Sequence, residues 1–284
     1  MNRGGNISPT AGFTIVETLI VLAVTSTLII SAMAAMSGRQ ARTEFQIGRE
    51  AIVRDLQSLI SKIESGRYEA TNTFSCYKEN VDWLGAYPRF IEPPVAGNQG
   101  QGTNEGCVFL GNALIFGRDS ASYRTYVIAG AASEHSSPYA VNTIARSHPA
   151  SPETSRSDKK FPNGFTYAGA RYVNQDGSYT TALTSTGLTA VRLMADLNGS
   201  DFTSGKLAGS QRVVVHDSMQ GSSPFNVWSD VWTVRDATPV EQPKKAFELC
   251  LASSGLDQSI LVTIGTGGSN KVSSKVMSGR TCGW

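Results

Sequence analysis

Residues 12–36, GFTIVETLIVLAVTSTLIISAMAAM, decide how this chain is built. From Phe13 to Met36 the run is 24 residues long and holds one charge, Glu17. At about 1.5 Å per residue it is long enough to cross a hydrocarbon core of about 30 Å, so the reading is a membrane-spanning helix. Ahead of it lies MNRGGNISPTAG (1–12), polar, with Arg3, no acid, and Pro9 to keep it out of the helix. That leader favours an N-terminus on the inner side of the membrane. A secretory signal peptide or a signal anchor would show a similar apolar run, but with cleavage after it or none.

Beyond Ser37 and Gly38 the composition turns polar, yet Phe45, Ile52, Val53, Leu56, Leu59, Ile60 and Ile63 recur at spacings of three and four. That is one apolar stripe, with Arg39, Arg42, Glu44, Arg49, Glu50, Arg54, Asp55 and Lys62 mostly on the other faces. The segment reads as an amphipathic helix ended by Gly66. Joined to the span it gives a helix of roughly fifty residues, about 80 Å long. The first proline after the leader is Pro88, so Gly38 and Gly48 are the positions expected to supply flexibility.

The remainder is rich in Gly, Ser, Thr and Asn and reads as strands joined by turns. Strand-like runs occupy 107–117, 122–130, 165–173, 188–195, 211–216, 225–234, 246–252, 258–265 and 270–277, with the longest loops at 91–106 and 130–163. The fold class is therefore α+β: a long N-terminal helix, half membrane-spanning and half amphipathic, packed on an antiparallel β-rich globular head. The expected divisions are 1–12, 13–36, 37–66 and 67–284. A net charge of +2 is too small to dictate a nucleic-acid or anionic-membrane partner.

Four cysteines share no C-x-x-C spacing, which argues against a zinc ribbon or a thioredoxin-like motif. Cys76 and Cys107 bracket a Gly/Asn/Gln-rich loop, and Cys250 and Cys282 close the C-terminal block. Of the three possible connectivities the sequential one, Cys76–Cys107 and Cys250–Cys282, is preferred; four reduced thiols are the alternative.

Glu17 carries the chemistry of the N-terminal segment. A carboxylate within an apolar helix costs on the order of 2.5 to 3.5 kcal/mol on insertion scales, so it calls for a cationic partner. The string formed by Gly12, Phe13, Thr14 and Glu17, G-F-T-I-V-E, resembles the class III signal of type IV prepilins and pseudopilins. The resemblance covers residues from about 10 to 36. It implies a pilin-like fold, cleavage between Gly12 and Phe13 by a prepilin peptidase, and N-methylation of Phe13. The new amine at Phe13 of one subunit would neutralise Glu17 of its neighbour and set the register of assembly.

Further partners implied are other pilin subunits, an inner-membrane platform protein and, through it, an assembly ATPase. The head could touch a host surface or DNA. The expected role is a structural subunit, in particular a minor pilin, serving adhesion, twitching motility or DNA uptake. Before assembly it would sit in the cytoplasmic membrane as a single-pass protein with its head outside, and afterwards in a surface filament. The alternatives are a type II secretion pseudopilin and a signal-anchored β-rich receptor.

No enzyme is expected, and neither a cofactor nor a small-molecule substrate. His135, His148 and His216 lie in no zinc-binding spacing. Ser157 and Lys160 spell S-x-x-K without the companion motifs of that chemistry. Asp196, Asn198, Ser200 and Asp201 alternate as in a calcium loop, but the glycine is misplaced and the twelfth-position glutamate is missing. Asn198 also heads an N-x-S sequon. The neighbours Tyr123 and Arg124, and likewise Arg171 and Tyr172, would point to opposite strand faces and make no nucleic-acid patch.

Overall fold

The computed structural model describes residues 14–66, 75–81, 85–91, 107–117, 119–131, 151, 155–181, 188–196, 202–203, 206–207, 213–217, 244–265 and 272–283. Of residues 34–38, 75–81, 85–91, 107, 131, 188, 202–203, 206–207 and 216–217 it describes the backbone alone.

A single 50-residue helix, α1 (Ile15–Glu64), opens the structure. Thr14 starts it: the Glu17 backbone N–H donates to Thr14 Oγ1 at 3.2 Å, satisfying one of the orphan donors of the first turn. Gly66 stops it, taking the left-handed conformation (φ 62°) while its N–H donates to the Ile63 carbonyl at 2.9 Å. The chain divides into two compact units, Met1–Phe45 and Gln46–Trp284, and α1 contributes to both.

In the first unit, Ile15–Met33 is long and apolar enough to cross a membrane, and none of it is buried. Within the second unit the same helix buries Ile52, Leu56, Ile60 and Ile63, one row at spacings of three and four. Arg54 and Asp55 stay exposed. Gly48 has a different use from the flexibility expected of it. It is buried, and a Cβ there would lie 2.8 Å from a ring carbon of Phe165, so its lack of a side chain lets the helix seat closely on that ring.

The strands are, in chain order, β1 (Ser75–Val81), β2 (Gly85–Ile91), β3 (Cys107–Gly117), β4 (Ser122–Ala131), β5 (Ser157–Lys160), β6 (Phe165–Val173), β7 (Tyr179–Thr181), β8 (Leu188–Ala195), β9 (Phe202–Thr203), β10 (Lys206–Leu207), β11 (Val213–Asp217), β12 (Ala246–Ser253), β13 (Gln258–Gly265) and β14 (Val272–Ser278). They form two five-stranded antiparallel sheets, ordered β11-β8-β3-β4-β5 and β14-β13-β12-β6-β7, and two separate hairpins, β1–β2 and β9–β10. The architecture is α+β.

Aromatic rings join the sheets. Phe116 of β3 stacks on Tyr167 of β6 with centroids 5.5 Å apart and on Phe247 of β12 at 6.2 Å. The two buried tyrosine hydroxyls also reach across: Tyr167 bonds to Thr189 Oγ1, and Tyr172 donates to the Ala190 carbonyl, both partners on β8. Gly111 has φ +156° at a bulge in β3, and a Cβ there would sit 2.0 Å from the Leu193 carbonyl oxygen, so only glycine lets β3 and β8 approach this closely. The chain passes from one sheet to the other between β5 and β6 through Asn163 and Gly164, both left-handed (φ 51° and 71°).

Eight of the nine strand-like runs coincide with β3, β4, β6, β8, β11, β12, β13 and β14; the run at 225–234 lies outside the described residues. Six strands were not foreseen: β1, β2, β5, β7, β9 and β10. Of these, β5 (SDKK) sits inside an expected loop and has no apolar residue. Such a strand exists because β4 pairs with it, and its charges suit the edge of a sheet.

Candidate assembly helix and its surroundings

Glu17 lies in the first turn of α1, amid the exposed Ile15 (80% accessible), Val16, Leu19 and Ile20. At the third helical position its carboxylate is favoured by the positive end of the helix dipole and its backbone N–H is held by Thr14. The string T-x-x-E formed by these residues is a capping-box pattern, a signal not drawn from the sequence. Gly12 and Phe13, the residues of the expected cleavage, lie outside the described residues.

The hydroxyls of the span are occupied within their own helix. Thr18 donates to the Ile15 carbonyl, Thr25 to Val21, Ser26 to Leu22, Thr27 to Val24 and Ser31 to Leu28, all at 2.7–2.9 Å. A polar group satisfied in this way can face hydrocarbon without a partner helix. Among the described residues of this segment, Glu17 is the ionisable side chain between Ile15 and Met33.

At the other end of the chain, the Cys250–Cys282 disulfide joins β12 to the C-terminal tail across 32 residues. The tail is tied twice more: Gly279 N–H donates to the Asp257 carbonyl at 3.1 Å, and Arg280 Nη2 to the Ser253 carbonyl at 3.2 Å. The expected Cys76–Cys107 bridge rests on side chains outside the described residues.

On the outward face of the second sheet, Arg171 Nε lies 2.6 Å from Glu248 Oε2 across the β6–β12 ladder, and the guanidinium sits 3.8 Å from the Tyr179 ring centroid. Tyr172 beside it is buried, so the adjacent Arg and Tyr do point to opposite faces. The same holds for exposed Arg124 and buried Tyr123. Burial pushes the Tyr123 hydroxyl up to about 12, with the nearby Asp55 carboxylate adding to the rise. Burial raises Tyr167 as well, partly offset by its bond to Thr189.

Ser157 and Lys160 stand at opposite ends of β5, opposite Thr125 and Ser122. An odd spacing on a strand points them to opposite faces, so they do not meet. His216 belongs to β11; His135, His148, Asn198, Ser200 and Asp201 lie outside the described residues. Among the described residues no group of His, Cys, Asp and Glu is placed to hold a metal ion. Comparison with protein-family models, with curated proteins and with solved structures finds no match to this chain.

Proposed function

We propose that the chain is a subunit of a type IV pilus or a related filament, made as a prepilin and assembled through its N-terminal helix. The observation that carries the reading is the single carboxylate, Glu17, in the first turn of a helix whose apolar surface is exposed from Ile15 to Met33. A span that served only as an anchor gains nothing from a charge among its apolar residues, which at the centre of a span would cost on the order of 2.5 to 3.5 kcal/mol. A span that must leave the lipid and pack beside copies of itself does.

Prepilin peptidase cuts between Gly12 and Phe13 in this account, and the freed amine at Phe13 of one subunit neutralises Glu17 of the next. The apolar surface of α1 then exchanges lipid for neighbouring helices. The β-rich unit, with its disulfide-tied tail, is exported and carries the contacts to a surface or to DNA. Its size favours a minor subunit that primes, caps or decorates the filament. The machine it belongs to, pilus or secretion pseudopilus, follows from the partners it recruits.

The test is the sheared surface fraction of cells making Glu17→Gln or Glu17→Leu in place of the native chain. Both variants are expected in the membrane at native level and depleted from filaments by at least about tenfold, the effect of about 1.4 kcal/mol. Native incorporation of Glu17→Leu would leave Glu17 without a role and remove the support for the reading.

A further inference from the structure

Between β5 and β6 the chain turns through Pro162, Asn163 and Gly164, and the fold restricts what can stand there. Phe161 and Phe165 on either side are buried, while Asn163 and Gly164 are exposed. Both exposed residues are left-handed, Asn163 with φ 51° and ψ 40° and Gly164 with φ 71°. At 164 a Cβ would lie 2.3 Å from Ser254 Oγ, so glycine is required by space as well as by conformation. At 163 asparagine is one of the few residues with a side chain that take up this conformation at little cost. The turn therefore places side by side the two residues whose junction is chemically least durable. The Asn163 amide carbon can form a five-membered ring with the next peptide nitrogen, and glycine offers that nitrogen no side chain to hinder it.

The reaction needs only water. Gly164 N bonds to Asn163 Cγ, the Cγ–Nδ2 bond breaks, and Nδ2 leaves as ammonia, giving a succinimide. Water then opens the ring at Cγ, leaving aspartate, or at the Asn163 carbonyl carbon, leaving isoaspartate, in which the main chain runs through Cβ and Cγ. In the folded turn this path is closed. Ring closure needs Asn163 Cβ and Gly164 N on the same side of the Cα–C bond, and at ψ 40° they point nearly opposite ways. Rotation about that bond is opposed by the peptides that follow: the Phe165 N–H donates to the Pro162 carbonyl, and the Ser254 N–H to the Gly164 carbonyl at 3.2 Å.

We infer that Asn163 is a modification site guarded by the fold: it converts in chains whose β5–β6 turn has opened, and the isoaspartyl product cannot re-form the turn. The reason is the added main-chain carbon. Asn163 Cβ lies 3.1 Å from where a Cβ on Gly48 would stand, so a backbone rerouted through it meets α1 at the position where the helix seats most closely. The same lengthening moves the Gly164 carbonyl off the Ser254 N–H. Opening of the turn is thereby recorded covalently, and chains left unfolded leave the pool that can fold. The inference is independent of the filament reading.

The experiment holds the full chain in detergent at mildly alkaline pH, its disulfide intact, either folded or in urea, and follows aspartate and isoaspartate at 163 by peptide mass spectrometry. Asn198–Gly199, the chain's other Asn-Gly pair, lies outside the described residues and serves as the clock in urea. In urea the two pairs should convert at similar rates. Folding should slow conversion at 163 by at least about tenfold, the effect of an opening free energy of roughly 1.4 kcal/mol. Equal rates at 163 with and without urea overturn the guard, and conversion in urea at 198 without conversion at 163 overturns the site. After urea is removed and protease added, intact chains should carry asparagine or aspartate at 163 and digested chains isoaspartate. Isoaspartate in the intact fraction at its starting share overturns the block on refolding. Asn163→Gly keeps the left-handed turn without the amide and should regain protease resistance in full; a loss equal to that of the native chain would trace the damage to another residue and overturn the block as well.

Discussion

Ile20 and Ile60 belong to one helix, yet Ile20 is 58% exposed and Ile60 only 3%. The difference lies in what surrounds each half. From Gln46 onward the helix has two sheets to cover its apolar row, and the other faces carry charges. From Ile15 to Met33 apolar residues occupy every face, and eleven large ones are exposed. At about 2 kcal/mol for each such side chain, leaving them in water would cost on the order of 20 kcal/mol, more than the free energy that holds a typical domain folded. The first half is long and apolar enough to serve as a membrane anchor or a signal sequence, and the second half is not.

The sharpest probe of this contrast is a pair of identical truncations. Ile60→Ala should destabilise the β-rich unit by about 2 to 5 kcal/mol, because it opens a cavity in a packed core. Ile20→Ala should change that unit's stability by less than about 0.5 kcal/mol. Urea unfolding of the full chain in detergent reads both, and equal effects would erase the distinction between the halves.

Next in size is the disulfide. Replacing Cys250 and Cys282 together by serine releases a 32-residue loop and should cost about 3 kcal/mol in the same assay. The helicity of the span should not respond.

Alkali gives a smaller and graded effect. The Tyr123 hydroxyl titrates near 12 in the folded chain against 10.0 ordinarily, so its contribution is intact below pH 10 and is lost as pH rises towards 12. Between those values stability should fall by about 1.4 kcal/mol per pH unit from this group, and Tyr123→Phe should flatten the slope. Denaturation curves at pH 9 and pH 11.5 compare the two. An unchanged slope in Tyr123→Phe would mean that the buried ring is not the group that titrates.

The smallest effect belongs to the start of the helix. Thr14→Val removes the acceptor for the Glu17 N–H and should cost about 1 kcal/mol, seen as fraying of the first turn in amide exchange, with the β-rich unit untouched. Protection at residues 15–17 equal to the native chain would show that the cap is dispensable.

How much of this could be read beforehand varied with the kind of signal. The helix was legible because its first half is an apolar run long enough to span a membrane and its second half carries an apolar stripe at spacings of three and four; even its stop at Gly66 was readable. The strands of the two sheets were legible where alternation or an apolar run marked them, as in CVFLGNALIFG and QSILVTIG. Strands such as SDKK and YTT were not, since they are strands only by virtue of a neighbour's ladder. The same limit hid the stacking of Phe116 on Tyr167 and Phe247, which joins residues far apart in the chain. Gly48 was misread for a related reason: a glycine that permits contact and one that permits bending look alike until Phe165 is seen against it. Glu17 was legible as out of place, while the cap from Thr14 needed the helix boundary to become visible.

The central claim is that Glu17 awaits an amine made at Phe13, and mass spectrometry of the chain's N-terminal peptide from its native membrane, beside Gly12→Val, tests it most directly. The account predicts a mature chain beginning at Phe13, N-methylated, and an unprocessed variant that is absent from filaments. A native chain that begins at Met1, or that is cut beyond Met33 with the span removed, would contradict it.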